Sequence, residues 1–200
     1  RWTPDNRSFY FGARFNGHPK YLIAAISLLY HYDIEKQKLT QVNLNWGRGL
    51  ASSAHYALTE NGFIALLADG LHYKPACYSK TEEGWNQTFL EGEHVSHIFH
   101  WTLGKNYRNL VYSFSRPDLP VQWYHAVLEG NDIKEAAPLT ELNPHYKKKV
   151  FAKNKALQWK GAKDEDVEGI LFYPHNYEEG KKYPLIVMIH GGPSAADMQI

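Results

Sequence analysis

Apolar residues in this chain occur in short runs, and turn-forming residues separate one run from the next. Runs rich in Tyr, Phe, Val and Ile and bounded by Gly, Pro, Asn and Asp are typical of β-strands. We therefore predict antiparallel β-structure with almost no helix up to about Leu142. The predicted strands are 8–12, one or two within 21–32, 39–44, 55–59, 63–68, 72–79, 85–90, 95–101, 110–114, 122–127 and 137–142.

These strands group into units that repeat along the chain. A Trp-Thr pair recurs 99 positions after residue 2, at Trp101-Thr102, and a Leu-Thr-x-x-Asn segment recurs 100 positions after residue 39. The apolar strands that begin at Phe9, Phe63 and Leu110 follow one another after 54 and 47 positions. A unit of about 50 residues with four short strands is the period of a β-propeller blade. About three blades are predicted, with others before Arg1 to close the ring; a two-sheet sandwich is the alternative.

The pattern changes after residue 142. Asn143, Pro144 and the lysines at 147–149 predict an exposed junction. The next predicted strands, 156–160 and 167–173, form a hairpin around a charged turn. A continuous apolar run then covers 185–189. A short run without alternation is typical of a strand that is buried on both faces of a parallel α/β sheet.

This run ends in His190-Gly191-Gly192-Pro193. Glycines allow backbone N–H groups to approach another atom closely. A strand with His-Gly-Gly at its carboxyl end has the layout of the oxyanion-hole loop of α/β-hydrolases, in which such an N–H stabilises a developing alkoxide. An ordinary Gly-Pro turn after a strand is the alternative interpretation.

Four segments between residues 157 and 193 match one known family. They are Leu157-Gln158-Trp159-Lys160, Val167-Glu168-Gly169-Ile170-Leu171-Phe172-Tyr173-Pro174, Tyr183-Pro184-Leu185-Ile186-Val187 and His190-Gly191-Gly192-Pro193. Together they resemble the start of the catalytic domain in the prolyl oligopeptidase family of serine peptidases, and most of all its acylaminoacyl-peptidase and dipeptidyl-aminopeptidase branches. The resemblance implies a β-propeller, here residues 1–145, followed by an α/β-hydrolase domain, of which 146–200 would be the truncated first part.

The resemblance also implies which residues act. The backbone N–H of Gly191 would be one oxyanion donor, and Gly192 would be the neighbour that permits the turn. The catalytic Ser, Asp and His would follow the loop in that order. They would lie beyond Ile200, because the chain contains no Gly-x-Ser-x-Gly pentapeptide. Ser194 lacks that setting and is not assigned as the nucleophile.

The whole enzyme is thus predicted to be a serine peptidase that hydrolyses short peptides through an acyl-enzyme, with the propeller restricting access. The chain starts without Met and ends soon after the glycine loop, so we interpret it as an inactive internal piece of that enzyme. Two alternatives stay open. One is an esterase or other acyl hydrolase on the same fold, and the other is a non-catalytic propeller that binds a protein partner.

Composition argues against several other functions. A net charge of +1 gives no electrostatic basis for nucleic-acid binding, and no apolar run is long enough to suggest a membrane span. Cys77 is the only cysteine, so no internal disulfide is expected. On a predicted strand His94, His97 and His100 would not share a face, and we expect no metal or other cofactor there. The acidic residues 164–166 are interpreted as a solvated turn, and a homo-oligomer is compatible with the sequence.

Overall fold

The computed structural model of the chain describes residues 1–20, 25–191 and 197–199. Within these residues the regular structure is almost entirely β, with fourteen strands, two short 3-10 turns and no α-helix. The prediction of a β-rich chain with almost no helix is confirmed. In this part of the chain, no helix has the length and apolar character that crossing a membrane requires.

The strands form three successive units and a separate hairpin. The first unit contains β1 (Ser8–Phe15), β2 (Ile26–Asp33) and β3 (Lys38–Gln41). The second contains β4 (Tyr56–Thr59), β5 (Gly62–Asp69), β6 (His72–Lys80) and β7 (Trp85–Phe89). The third contains β9 (Ile98–Leu103), β10 (Asn109–Arg116), β11 (Leu119–Glu129) and β12 (Asp132–Pro138), and the two-residue β8 (Glu91–Gly92) pairs in parallel with β12 at its edge. All other strand pairs are antiparallel and join neighbours in sequence.

A short segment at the start of the chain gives the first unit its fourth extended segment. The N–H of Tyr10 donates to the carbonyl of Arg1 over 2.8 Å, and the N–H of Thr3 donates to the carbonyl of Ser8 over 3.0 Å. Trp2 forms an antiparallel bridge with Phe9 between these bonds. Residues 1–3 therefore run along the edge of β1 in the position that β4 and β9 occupy in the other units.

The repeat has a regular spacing. The last strands of the three units, β3, β7 and β12, begin at Lys38, Trp85 and Asp132, which are 47 positions apart in both steps. The strands β1, β5 and β10 begin at residues 8, 62 and 109, which reproduces the predicted steps of 54 and 47. The four-stranded repeat of about 50 residues was thus visible in the sequence.

Two predicted strands differ from the structure, one in its position and one because part of it is a 3-10 turn. The last strand of the third unit was expected at 137–142 but is β12, which begins at Asp132. A two-residue turn containing Gly130, with φ of 63°, pairs Glu129 with Asp132 and so starts the strand at once. Residues 95–97 were also expected in a strand, but they form a 3-10 turn that follows His94, whose φ of 73° is left-handed.

The second unit is buried between the first and the third. Alternate side chains of β5 point to opposite faces of its sheet, as strand geometry requires. Phe63, Ala65 and Leu67 belong to the core shared with the first unit. Ile64 and Leu66 belong to the core shared with the third unit. The unbroken apolar run in β5 therefore serves two interfaces.

The predicted hairpin near the end of the chain is confirmed. It consists of β13 (Asn154–Lys160) and β14 (Asp166–Phe172), and its acidic turn is exposed. Glu168 on β14 reaches the turn between β5 and β6, since a Cβ added at Gly70 would lie 1.8 Å from Glu168 Oε2. The hairpin thus contacts the end of the second unit that carries Gly70.

A close backbone contact between the first and second units gives a testable prediction at Gly12. A Cβ added there would lie 2.1 Å from the carbonyl oxygen of Ser53, a backbone atom that cannot move without its loop. We expect Gly12→Ala to reduce the free energy of unfolding by about 1–3 kcal/mol, the usual cost of overpacking, measured by urea unfolding.

The matched control is Gly47→Ala, because an added Cβ at Gly47 would meet no atom within 4 Å. This variant should stay within about 0.5 kcal/mol of the parent protein. Equal losses in the two variants would contradict the contact between β1 and the Ser53 loop.

Candidate functional site

The segment that leads to the predicted site is not a strand in the structure. Residues 185–189 have no assigned strand partner, and their five side chains are 72–88% exposed. A strand is stabilised by a neighbouring strand that pairs its N–H and C=O groups. No described strand lies beside this run in a ladder. The described chain therefore does not show the strand buried on both faces, which stays a prediction for the proposed α/β-hydrolase domain.

Gly191 lies exposed at the end of this segment. The Nδ1 atom of His190 is 3.2 Å from the carbonyl oxygen of Gly191. A Cβ added at Gly191 would meet no atom within 4 Å in the part of the chain that the structure describes. Gly192, the other predicted site residue, lies outside the described residues, as do Pro193 and Ser194. Of the two predicted site residues, the structure thus describes only Gly191. None of the described contacts brings a catalytic side chain to it.

The short described stretch after the glycine loop contacts the rest of the chain. The backbone N–H of Gln199 donates to the carbonyl of Leu71 over 2.9 Å. Its side-chain Nε2 donates to Oδ1 of Asn154 on β13 over 2.7 Å. Both partners lie near the hairpin contact at Gly70. The residues on the far side of the glycine loop therefore lie at the same end of the second unit as the hairpin.

Near that end His94, His97 and His100, which the sequence analysis considered by themselves, come close to His55 and His72, which it did not connect with them. The ring centroids of His72 and His97 are 5.4 Å apart. Those of His55 and His100 are 5.9 Å apart. His94 Nδ1 lies 2.9 Å from the hydroxyl of Tyr112. Within the described ranges, no group of three or more His, Cys, Asp or Glu residues is arranged to hold a metal ion.

Ser113 and His100 form a pair that superficially resembles part of a catalytic triad. Their Oγ and Nδ1 atoms are 3.5 Å apart. However, Ser113 is only 1% exposed, and its Oγ already accepts the backbone N–H of His100 over 3.0 Å. A nucleophile has to reach the substrate carbonyl. This pair is therefore structural.

Cys77 is not an activated nucleophile. Burial raises the pKa of its thiol to about 11, and its Sγ lies 3.8 Å from the carbonyl oxygen of Gly130. The thiolate is the reactive form of cysteine. At neutral pH this thiol is therefore protonated, and it packs between the second and third units.

A cleft of about 520 Å³ opens between the first and second units. Its walls carry both charge signs, including Asp5, Arg7, Asp33 and Lys80, beside the rings of Tyr10, His31 and Trp85. Burial, with a smaller contribution from the charge of Lys80, lowers the pKa of His31. Asp5 already accepts hydrogen bonds from the Thr3 hydroxyl and the Arg7 N–H. The Ser8 hydroxyl in this cleft lies 3.1 Å from the Thr3 hydroxyl, and none of the described hydrogen bonds joins it to His31. The described residues of the cleft therefore show no paired nucleophile and base of the kind that acyl transfer needs.

Comparison with known proteins adds a distant relationship. No family model matches the chain. A stretch of 70 residues is 36% identical to dipeptidyl-peptidase 5 from each of two strains of Aspergillus fumigatus. The match covers 35% of this chain and about a tenth of the length of each relative. This weak similarity is consistent with a relationship to a peptidase family.

Proposed function

We propose that this chain is part of a serine peptidase in which a β-propeller precedes an α/β-hydrolase domain. The observation that carries the proposal is the 36% identity over 70 residues to dipeptidyl-peptidase 5. The His-Gly-Gly-Pro sequence at 190–193 points to the same chemistry. The whole enzyme would hydrolyse short peptides, and its propeller would exclude large folded substrates.

The first unit supports the propeller part of this proposal. Phe9 is the second residue of β1, and its counterparts Phe63 in β5 and Leu110 in β10 both face the unit before their own. On the same face, Phe9 lies 5.4 Å from Tyr32 and Phe11 stacks on Tyr30 at 5.5 Å between ring centroids. This aromatic face is thus suited to a further β unit of the same kind.

The reaction assigns a simple role to the glycine loop. A serine from the proposed downstream part would attack the peptide carbonyl, and the carbonyl oxygen would become an oxyanion. The N–H of Gly191 would donate a hydrogen bond to that oxygen, together with an N–H that follows the nucleophile. The loop stabilises this charge but cannot generate the nucleophile, so it requires a separate serine and its base.

A fluorophosphonate probe tests the proposal. The full-length protein is expected to be labelled by the probe on one serine that lies outside residues 1–200. In a separate assay it is expected to hydrolyse short peptides that carry a fluorogenic leaving group. The 200-residue chain is expected to remain unlabelled, because Ser113, the described serine whose hydroxyl lies beside an imidazole, is only 1% exposed.

Each other outcome selects a different function. Labelling with turnover of esters but not of peptides would identify an acyl hydrolase. A full-length protein that is folded but neither labelled nor active would be a binding protein. Specific labelling of Ser194 would contradict the assignment of the nucleophile to the downstream part.

A further inference from the structure

Five of the 11 histidines of the chain lie at or beside the boundary between the second and third units. We call this group the histidine interface. His72 begins β6, and His55 directly precedes β4, both in the second unit. The other three belong to the segment that enters the third unit, where His94 precedes the 3-10 turn, His97 is its last residue and His100 is in β9. The fold therefore brings together residues as far apart in sequence as 55 and 100.

Two pairs cross the boundary between the units at short range. His55 faces His100, and His72 faces His97, both with rings close to perpendicular at 83° and 82°. Two protonated imidazoles at such separations repel each other, and partial burial weakens the screening by water. Protonating both rings of a pair is therefore unfavourable in the folded chain.

The surroundings of the crossing histidines favour their neutral forms. Burial, and next the proximity of His100, lowers the pKa of His55. The Nδ1 atom of His55 is buried without a hydrogen-bond partner in the described structure. Burial, and next the proximity of His72, lowers the pKa of His97. A charge on the His55 ring would thus lack compensation.

Aromatic side chains surround His94 and also contact His55. His94 stacks on Phe114 with ring centroids 3.7 Å apart and lies 4.6 Å from Tyr124. Burial lowers the pKa of His94 as well. The ring of Tyr73 in β6 lies 6.0 Å from His55 and provides no negative charge at neutral pH, because burial raises the pKa of its hydroxyl.

Three charged side chains also act on these rings. Arg116 disfavours the protonated forms of both His94 and His97. Glu93 favours protonated His94, and Asp118 favours protonated His97. Asp118 already forms an ion pair with Arg116, with 3.0 Å between Oδ1 and Nε. Burial and the neighbouring cations outweigh the two carboxylates, since the net pKa shift of both histidines is downward.

We propose that the histidine interface is an acid-sensitive contact, at which protonation loosens the third unit from the second. The boundary between the first and second units also contains a histidine with a lowered pKa, His31, whose ring lies 4.6 Å from Tyr10. Among the described residues no pair of histidine rings crosses that boundary, so we expect acid to weaken it less. The response is thus strongest at the histidine interface and follows from the position of the five rings.

The sign of the effect follows from proton binding. Histidines with a lowered pKa bind fewer protons in the folded chain than in the unfolded chain, so unfolding takes up protons as the solution becomes acidic. The contribution of the interface is complete above the ordinary histidine pKa of about 6.5. It decreases as the pH falls below that value and towards the lowered pKa of the folded state.

Hydrogen exchange of the full-length protein at neutral and mildly acidic pH, corrected for the intrinsic pH dependence of exchange, tests this directly. Protection is expected to fall in acid for residues 94–103 and for the start of β6. Protection in β1, where His31 is the one neighbouring histidine ring among the described contacts, is expected to fall less. Equal loss at both unit boundaries, or no loss at the histidine interface, would overturn the proposal.

Substitutions provide a second readout. The double variant His55→Gln/His97→Gln should reduce the drop in Tm between about pH 7.5 and about pH 5.5 by at least half, because it removes one titrating ring from each pair. The matched control is His175→Gln, since His175 is exposed in a loop. An unchanged drop in the double variant, or an equal reduction in the control, would contradict the assignment.

Discussion

The Gly191→Pro variant of the full-length protein is expected to lose about 10²–10³-fold in kcat. Proline has no backbone N–H, so the substitution removes the hydrogen bond that we propose for the oxyanion. The loss should appear in kcat rather than in KM, because the donor acts on charge that develops only in the transition state. Steady-state kinetics on a short peptide substrate measures both constants.

The structure provides a matched control at the same position. Gly191→Ala keeps the N–H, and the added Cβ would meet no atom of the described residues within 4 Å. This variant should therefore retain most of the activity, with fluorophosphonate labelling and circular dichroism verifying that both variants are folded. Full turnover in a folded Gly191→Pro enzyme would assign the donor to another residue.

The Phe63→Ala variant is expected to reduce the free energy of unfolding by about 3–5 kcal/mol. Phe63 is fully buried on β5, where its ring stacks on Tyr78 with centroids 4.6 Å apart and meets Trp85 at 4.9 Å. Removing the ring leaves a cavity in the core that joins the first two units. Since a domain is typically stable by about 5–15 kcal/mol, this loss would be a large part of the total.

Phe15→Ala is the matched control, because Phe15 lies on β1 but is 47% exposed. Its loss should be below about 1 kcal/mol, the range of surface substitutions. Urea unfolding monitored by tryptophan fluorescence would measure both variants. Similar losses for the two phenylalanines would contradict the burial of β5 between two units.

The strand pattern was largely predictable because its signals are local. In the second unit, all four strands lie within one or two residues of their expected positions. Turn residues such as Asn61-Gly62 and Asp69-Gly70 mark their limits, and alternation marks which residues can face a core. The position of β12 was predicted wrongly because its first residue is set by the two-residue turn that pairs Glu129 with Asp132.

The predicted catalytic segment depended on non-local information. The composition of 185–189 matches a buried strand, but burial requires other strands on both sides, and within the described chain the side chains of this run are exposed. The identity of Gly191 as a donor likewise depends on where the nucleophile lies. The chemistry of this loop therefore stays a proposal.

The sequence by itself determined that the chain is β-rich, that a four-stranded unit recurs about every 50 residues, and that a hairpin follows the third unit. These properties arise from turn propensity and from alternation between neighbours, which act over a few residues. Only the tertiary structure decided that β5 serves two cores, that Glu168 reaches Gly70, and that five histidines meet at one boundary. Such contacts join residues tens of positions apart, and their energy comes from shared burial that no single segment of the sequence contains.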